Sequence, residues 1–316
     1  FGLFLLGLFI QGTGLAVLQT ASNPYITILG PKESAAKRIS IMGVCNKLAG
    51  AIAPIILGAV ALKDVDALVA KVQLMPVAEK VAELNELALR VVTPYIIITL
   101  VLLLLALLIF FSGLPEIDTD HEDGEVAKLN STKKSVFQFP QLVLGTIAMF
   151  FYVGVEVIAG DTVISYGASQ GIALSSAKFF ATTTLVSMIV GYLIGIVTIP
   201  KYISQEKALM VTTLIGIAFA SVSLLTTGFV SVLFISLLGL ANAMIYPAIW
   251  PLAIDGLGRF TKIGSSFLIM AIAGGAVLPL LYGFMADKSS PHDAYWIALP
   301  CYLIIFSYAK WGHKIR

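Results

Sequence analysis

The sequence predicts an all-α integral membrane protein whose helices form a bundle of two related halves. Hydrophobic residues make up 58% of the 316-residue chain and charged residues 12%, whereas a soluble domain carries about 25% charged residues. A water-soluble globule is therefore excluded. Nine apolar stretches are each long enough to cross the hydrocarbon core, which takes about 20 residues. Inside lipid each must be helical, because no water satisfies the backbone. The predicted spans lie near 1–29, 39–62, 91–112, 139–165, 178–200, 208–227, 229–253, 263–286 and 293–310.

An internal repeat supports the division into two halves. Residues 14–58 align with 239–283 at a constant offset of 225 and without a gap, giving 9 identities in 45 positions. The repeat preserves glycine, proline and loop residues. The matched pairs include Gly14 with Gly239, Lys37 with Lys262, Ser40 with Ser265, Gly50 with Gly275, Pro54 with Pro279 and Gly58 with Gly283. Many transporters are duplicated bundles of membrane helices, with the binding site between the copies.

The distribution of Lys and Arg predicts the orientation in the membrane. Alternate loops on one side hold 13 basic residues, and those on the other side hold 6. Because the basic side is normally cytoplasmic, the C-terminus and the loops 30–38 and 113–138 are predicted to be inside, and Phe1 outside. The long outer segment 64–90 has apolar residues at helical spacing, which predicts an amphipathic segment at the membrane interface.

The repeat offset of six helices predicts the domain organisation. Residues 1–112 are expected to be three helices of an N-terminal six-helix half. Residues 113–138 are expected to be a charged cytoplasmic linker, and 139–316 a complete C-terminal six-helix half. The chain begins with Phe1 within an apolar stretch, so we expect that three N-terminal helices of an original twelve are missing.

The first span carries amide side chains at membrane depth, where polar groups are costly and mark functional candidates. Gln19 and Asn23 are four residues apart and share one helix face. An amide offers both a donor and an acceptor to the neighbouring hydroxyls of a sugar. Pro24 lacks a backbone donor and can open the helix there. The alternative reading is that these amides join helices to one another.

The second and fourth spans supply further polar residues. Asn46 and Lys47 lie within the second span, and Glu156 and Asp161 lie within the fourth. A buried Lys47 requires a carboxylate partner. One of the two acids is therefore predicted to bind a coupling ion or a sugar hydroxyl, and one to pair with Lys47 as a gate. An ion pair that only locks the halves together is the competing interpretation.

The seventh span holds Asn242, Tyr246 and Trp250 at i, i+4 and i+8, which predicts one continuous stripe. An amide beside aromatic rings suits a sugar, which has polar edges and an apolar C–H face that stacks on rings. A packing stripe with Tyr and Trp near the interface is the alternative. Asp255 and Arg259 follow at the cytoplasmic end and predict a clamp between loops.

The remaining chemistry-bearing residues argue against an enzyme or a metal site. Cys45 and Cys301 are isolated in apolar spans, and the three His residues are expected in loops or at the C-terminal end. An intramembrane enzyme would need a His cluster, paired carboxylates or a nucleophile beside a base. No cofactor and no nucleic-acid partner are predicted.

Several motifs resemble a known family. They are Gln19-Thr20-Ala21-Ser22-Asn23-Pro24-Tyr25, Leu29-Gly30-Pro31, Asn46-Lys47-Leu48-Ala49-Gly50 and the stretch from Tyr152 to Thr162. Together they are similar to the fucose–galactose–glucose symporter family of the major facilitator superfamily, most of all to its glucose/galactose branch. The resemblance implies a major facilitator-type bundle entered at the fourth of twelve helices, with sugar binding at Gln19 and Asn46.

The resemblance also bears on ion coupling. Proton-coupled fucose transporters have a Glu where this chain has Gln19, and an amide cannot cycle a proton. Glu156 and Asp161 could substitute for it, or the ion could be sodium.

Together the residues and the resemblance predict a secondary active transporter of a hexose, such as glucose, galactose or fucose. It would work by alternating access, coupled to H⁺ or Na⁺, as a monomer in a bacterial inner membrane. An exporter of amphipathic small molecules on the same fold is the alternative. Exporter cavities are more aromatic and carry fewer amides, so the amides of this chain favour the sugar transporter.

Overall fold

The computed structural model describes residues 2–61, 76, 79–80, 85, 89–114, 126 and 130–315, and these residues contain helices and no β-strand. The predicted outer segment 64–90 and linker 113–138 lie largely outside the described residues. The helices are α1 (Gly2–Ile28), α2 (Ala35–Ala61), α3 (Val92–Phe111), α4 (Pro140–Asp161), α5 (Val163–Ser169), α6 (Leu174–Thr198), α7 (Gln205–Leu225), α8 (Gly228–Asn242), α9 (Ile245–Ile254), α10 (Thr261–Met270), α11 (Gly274–Lys288), α12 (Pro291–Ala294) and α13 (Ala298–Lys310).

The chain forms two compact units. The larger unit comprises residues 1–45 and 118–316, and the smaller comprises 46–117. The smaller unit contains α3, a helix of Leu, Ile and Val with no buried residue. A helix that is apolar on every side, with its side chains exposed, is typical of a membrane span.

Seven helical segments of the described chain are long and apolar enough to cross a membrane. They are Gly2–Ile28, Val92–Phe111, Pro140–Asp161, Leu174–Thr198, Gln205–Leu225, Gly228–Ile254 and Gly258–Lys288. The other two predicted spans also contain helices, α2 and α13. Each of the nine predicted stretches therefore contains helix among its described residues, whereas the count of nine membrane-spanning helices stays a prediction.

Two spans differ from the continuous helices that the sequence predicts. The seventh is interrupted at Ala243 and Met244, between α8 and α9. Pro247 lacks the N–H that would bond to the Ala243 carbonyl, which accounts for a helix restart here. The eighth is interrupted by a 3₁₀ turn at Ala271–Ala273. Conversely, α1 continues through Pro24 to Ile28, so the expected opening of the helix at that proline is wrong.

Helix α4 lies at the centre of the larger unit and contacts α8, α9, α11 and α13. Small residues allow this close packing. A Cβ added to Gly145 would lie 2.7 Å from the Ala253 Cβ on α9, and one added to Gly154 would overlap Leu278 on α11. Because its neighbours are so close, α4 holds the side chains on its buried face, including Tyr152, in fixed positions.

The first turns of α2 pack on α6 and on the break after α8. Ala36 joins a buried apolar cluster with Ile199, Ala208 and Met244. Further along α2, a Cβ at Gly43 would lie 2.5 Å from the Tyr192 ring of α6. The seventh-span break is therefore in contact with α2, through Ala36 and Ser40 against Met244.

Candidate functional site

The break between α8 and α9 lies beside a buried amide. Asn242, the last residue of α8, is 1% exposed. Its Oδ1 accepts a hydrogen bond of 2.8 Å from the hydroxyl of Tyr302, which is fully buried on α13. The predicted stripe from Asn242 to Trp250 crosses the turn at Ala243 and Met244, where both residues keep right-handed helical backbone angles within the segment Gly228–Ile254. Its role at the site stays a prediction.

The two aromatic residues of the stripe remain together on α9. The rings of Tyr246 and Trp250 have centroids 5.7 Å apart, and the ring of Tyr152 on α4 is 6.4 Å from that of Tyr246. Trp250 is fully buried, and its indole N–H has no acceptor among the described residues. Leaving a buried donor unpaired costs about 1–3 kcal/mol, so this indole N–H is an unsatisfied donor next to Tyr246.

A direct hydrogen bond joins the first predicted span to the seventh. Nδ2 of Asn23, a residue 4% exposed, donates to the Tyr246 hydroxyl at 2.8 Å. The hydroxyl of Thr27 bonds to the Asn23 carbonyl in the next turn of α1. Gln19 lies one turn earlier on the same helix and is partly exposed. Sequence reasoning placed Asn23 and Tyr246 in one site, and the structure brings their side chains into contact.

Glu156 provides the acidic group of this region. It lies on α4, partly exposed, one turn after Tyr152. The phenols of four tyrosines lie within electrostatic range of its carboxyl group. They are Tyr152, Tyr192, Tyr246 and Tyr302. One carboxyl group, several phenols, two amides and an indole thus surround one part of the larger unit, a set of donors and acceptors suited to a polyhydroxylated ligand.

The other predicted residues lie apart from this group. Asp161 is the last residue of α4 and is exposed. Asn46 and Lys47 belong to the smaller unit, where Asn46 is exposed and Lys47 is half-buried. The predicted pairing of Lys47 with a carboxylate stays a prediction. Among the described residues, no cluster of three or more metal-ligating side chains occurs.

The predicted loop clamp is present. Lys32 forms an ion pair with Asp255, and Arg259 donates to the Lys133 carbonyl at 3.0 Å.

Arg38 binds the last carbonyls of α1, with Nε 2.8 Å from the Ile26 oxygen. These last-turn carbonyls lack partners within the helix, so a guanidinium stabilises them. We call Lys32, Arg38, Lys133, Asp255 and Arg259 the charged clamp. A cavity of about 550 Å³ opens beside it.

A second polar group was not recognised in the sequence. The Tyr166 hydroxyl lies 2.5 Å from Ser231 Oγ and 2.8 Å from His292 Nδ1, and His292 Nε2 lies 3.2 Å from the Leu224 carbonyl. Nearby, the hydroxyls of Thr162 and Tyr295 are 2.7 Å apart. We call Tyr166, Ser231, His292, Thr162 and Tyr295 the tyrosine–histidine cluster. His292 lies in the short helix α12, within the connection between α11 and α13.

Comparison with known proteins identifies the class. Residues 1–275 match the family model of the Major Facilitator Superfamily. The chain belongs to the Major Facilitator Superfamily and is a multi-pass integral membrane protein. The all-helical fold and the family resemblance predicted from the sequence are confirmed.

The individual relatives within this superfamily are sugar transporters. The chain is 32% identical over 317 residues to a glucose/galactose transporter of Brucella abortus (strain 9-941), covering 99% of this chain and 72% of that protein. It is 30% identical to the L-fucose-proton symporter of Escherichia coli K12, covering 98% and 71% respectively. A crystal structure of the transporter FucP in the outward conformation matches with a TM-score of 0.84 and 30% identity, over 98% of this chain and 76% of that one. These relatives are transporters and not enzymes.

Proposed function

We propose that this protein is a secondary active transporter that moves a hexose across the membrane by alternating access. The observation that carries the proposal is the contact of Asn23 with Tyr246, beside Trp250 and the Glu156 carboxyl group. It places amide, phenol, indole and carboxylate groups from α1, α4 and α9 together. The names of the relatives, which include glucose/galactose and fucose transporters, support a sugar as the substrate.

In this proposal each residue has a distinct role. Gln19, Asn23 and Asn242 exchange hydrogen bonds with sugar hydroxyls, and Glu156 accepts from one of them. The ring of Tyr246 contacts the apolar C–H face of the sugar, and the buried Trp250 ring supports Tyr246 from behind. Asn46 is proposed as a further sugar-binding residue because of its position in the sequence motif.

The direct test uses full-length protein in proteoliposomes with radiolabelled glucose, galactose and fucose. At least one hexose should accumulate, and Tyr246→Ala and Glu156→Gln should each reduce uptake by more than about tenfold, the effect of losing roughly 1.4 kcal/mol of binding. Phe219→Ala, a change of similar size on α7, serves as the control. Uptake of hydrophobic cations, with none of any hexose, would instead establish an exporter.

Coupling to a cation is part of the proposal. Glu156 and Asp161 are the candidate coupling acids, and Lys47 the candidate gating partner. Sugar should drive entry of H⁺ or Na⁺ into vesicles that hold no gradient. If the double variant Glu156→Gln/Asp161→Asn still concentrates sugar, neither carboxyl group couples the ion.

The finer organisation is also proposed. The chain corresponds to the last nine helices of a twelve-helix bundle, with domains 1–112 and 139–316 joined by the cytoplasmic linker 113–138. Support comes from the repeat offset of six helices and from relatives that extend beyond the matched region. The proposed protein is a monomer in a bacterial inner membrane with its C-terminus inside. Single cysteines placed at Lys314 and at Lys178 check the orientation. A reagent that cannot cross the membrane should label only the cysteine at position 178 in intact cells.

A further inference from the structure

Tyr302 of α13 holds the side chain of Asn242 in place. Its ring is fully buried on α13, and its hydroxyl donates to Asn242 Oδ1 at 2.8 Å. The ring fits against Gly216 of α7, where an added Cβ would lie 2.5 Å from a ring carbon. Since neither Gly216 nor the ring can move without disturbing the packing, the position of the hydroxyl is fixed.

This hydrogen bond determines which end of the Asn242 amide is available. A primary amide has one acceptor oxygen and two N–H donors, and the orientation follows from its partners. A buried phenol that could not donate would leave its own proton unpaired, at a cost comparable to a lost hydrogen bond. Tyr302 therefore holds Oδ1, and the described hydrogen bonds of Asn242 leave its Nδ2 available.

The donor end of Asn242 and the acidic group belong to the same region. Tyr302 lies within electrostatic range of the Glu156 carboxyl group. An N–H donor and a carboxylate in one region can serve two hydroxyls of one sugar, of which one accepts from the amide while the other donates to the acid.

We propose that Tyr302 is a positioning residue that fixes Asn242 as a hydrogen-bond donor to one sugar hydroxyl and thereby sets which hydroxyl pattern the site accepts. The inference rests on the proposed function. A site whose polar group is held in one orientation rejects a substrate that lacks the matching hydroxyl, because the amide is then left unpaired.

The test measures equilibrium binding of radiolabelled hexose and of the corresponding monodeoxy sugars to the full-length protein. Tyr302→Phe keeps the ring and removes the hydroxyl. We expect about tenfold weaker binding of the hexose. In the parent protein, one particular deoxy sugar should bind much more weakly than the hexose. This loss of affinity should be smaller in the variant. In an Asn242→Ala background, Tyr302→Phe should weaken binding no further, since the two residues act as one pair.

Two variants separate positioning from a general loss of stability. Tyr295→Phe removes another fully buried hydroxyl, one that contacts Thr162 instead of Asn242, and should leave the deoxy-sugar penalties unchanged. Asn242→Asp keeps the acceptor for Tyr302 but removes the amide donor, and should bind as poorly as Asn242→Ala.

The outcomes that overturn the inference are distinct from those that overturn the function. If Tyr302→Phe keeps the parent pattern of deoxy-sugar penalties, Tyr302 has no positioning role, although the hexose transporter proposal stands. If the parent protein binds no hexose at all, both proposals fail.

Discussion

The charged clamp and the tyrosine–histidine cluster bind helices together by different means. The clamp connects segments that are far apart in the sequence, from Lys32 to Asp255, through charged groups of which Lys32 is 66% exposed. The cluster connects α5, α8 and α12, all in the C-terminal part, through buried hydroxyls and one imidazole. The difference indicates which contacts can open repeatedly and which cannot.

The energies support this distinction. An exposed ion pair contributes about 0–1 kcal/mol, because water and salt screen it. Removing one partner of a buried hydrogen bond costs about 1–3 kcal/mol, because the other partner is left unsatisfied. In a transporter whose halves rock, the clamp can therefore break in each cycle while the cluster holds the C-terminal helices as one body.

The largest effect is expected at Gly43, which permits the close packing near the clamp. Gly43→Leu would place side-chain atoms in the space of the Tyr192 ring, so α2 and α6 could no longer meet there. We expect hexose uptake to fall by more than about tenfold, on the reasoning that even a small misplacement of helices disrupts a transport site. Uptake into proteoliposomes measures the effect.

A matched control for this prediction is Gly283→Leu on α11, in the same unit as Gly43. A Cβ at Gly283 has no described atom within 4 Å, so uptake should stay near the parent level. Equal losses in the two variants would mean that the contact between Gly43 and Tyr192 has no special importance.

An intermediate effect is expected in the tyrosine–histidine cluster. Tyr166→Phe deprives both Ser231 and His292 of a partner and should lower the free energy of unfolding by about 1–3 kcal/mol. The melting temperature in detergent measures this change, while uptake per folded molecule should be unaltered. Tyr202→Phe, at a residue 70% exposed, should change neither quantity. A normal melting temperature in Tyr166→Phe would contradict the structural role of the cluster.

The smallest effect on stability is expected in the charged clamp. Asp255→Asn removes the ion pair with Lys32 and should change the free energy of unfolding by less than about 1 kcal/mol. The rate of uptake should nevertheless change, on the inference that the clamp opens and closes in each transport cycle. Exchanging the charges, as Lys32→Asp with Asp255→Lys, should restore the parent rate, and failure to do so would argue that attraction between the two is unimportant.

Composition and periodicity were sufficient to predict the helices, because twenty apolar residues in lipid have one satisfactory backbone structure. The irregular turn after Asn242 was missed although Pro247 signals it, since a proline can also lie inside a continuous helix, as Pro24 does in α1. The hydrogen bond between Asn23 and Tyr246 follows from tertiary packing, so the sequence suggested both residues without revealing their contact. Tyr302 resembled any other aromatic residue of an apolar span, and only its partner Asn242 distinguishes it.

The interruption at Ala243 and Met244 has a consequence for how such proteins diversify. Asn242 is held from one direction by Tyr302, and Tyr246 from another by Asn23. Substitutions around Tyr302 can therefore change the position of Asn242 while substitutions on α1 change that of Tyr246. Two sugar-contacting residues of one span can in this way be altered independently of each other.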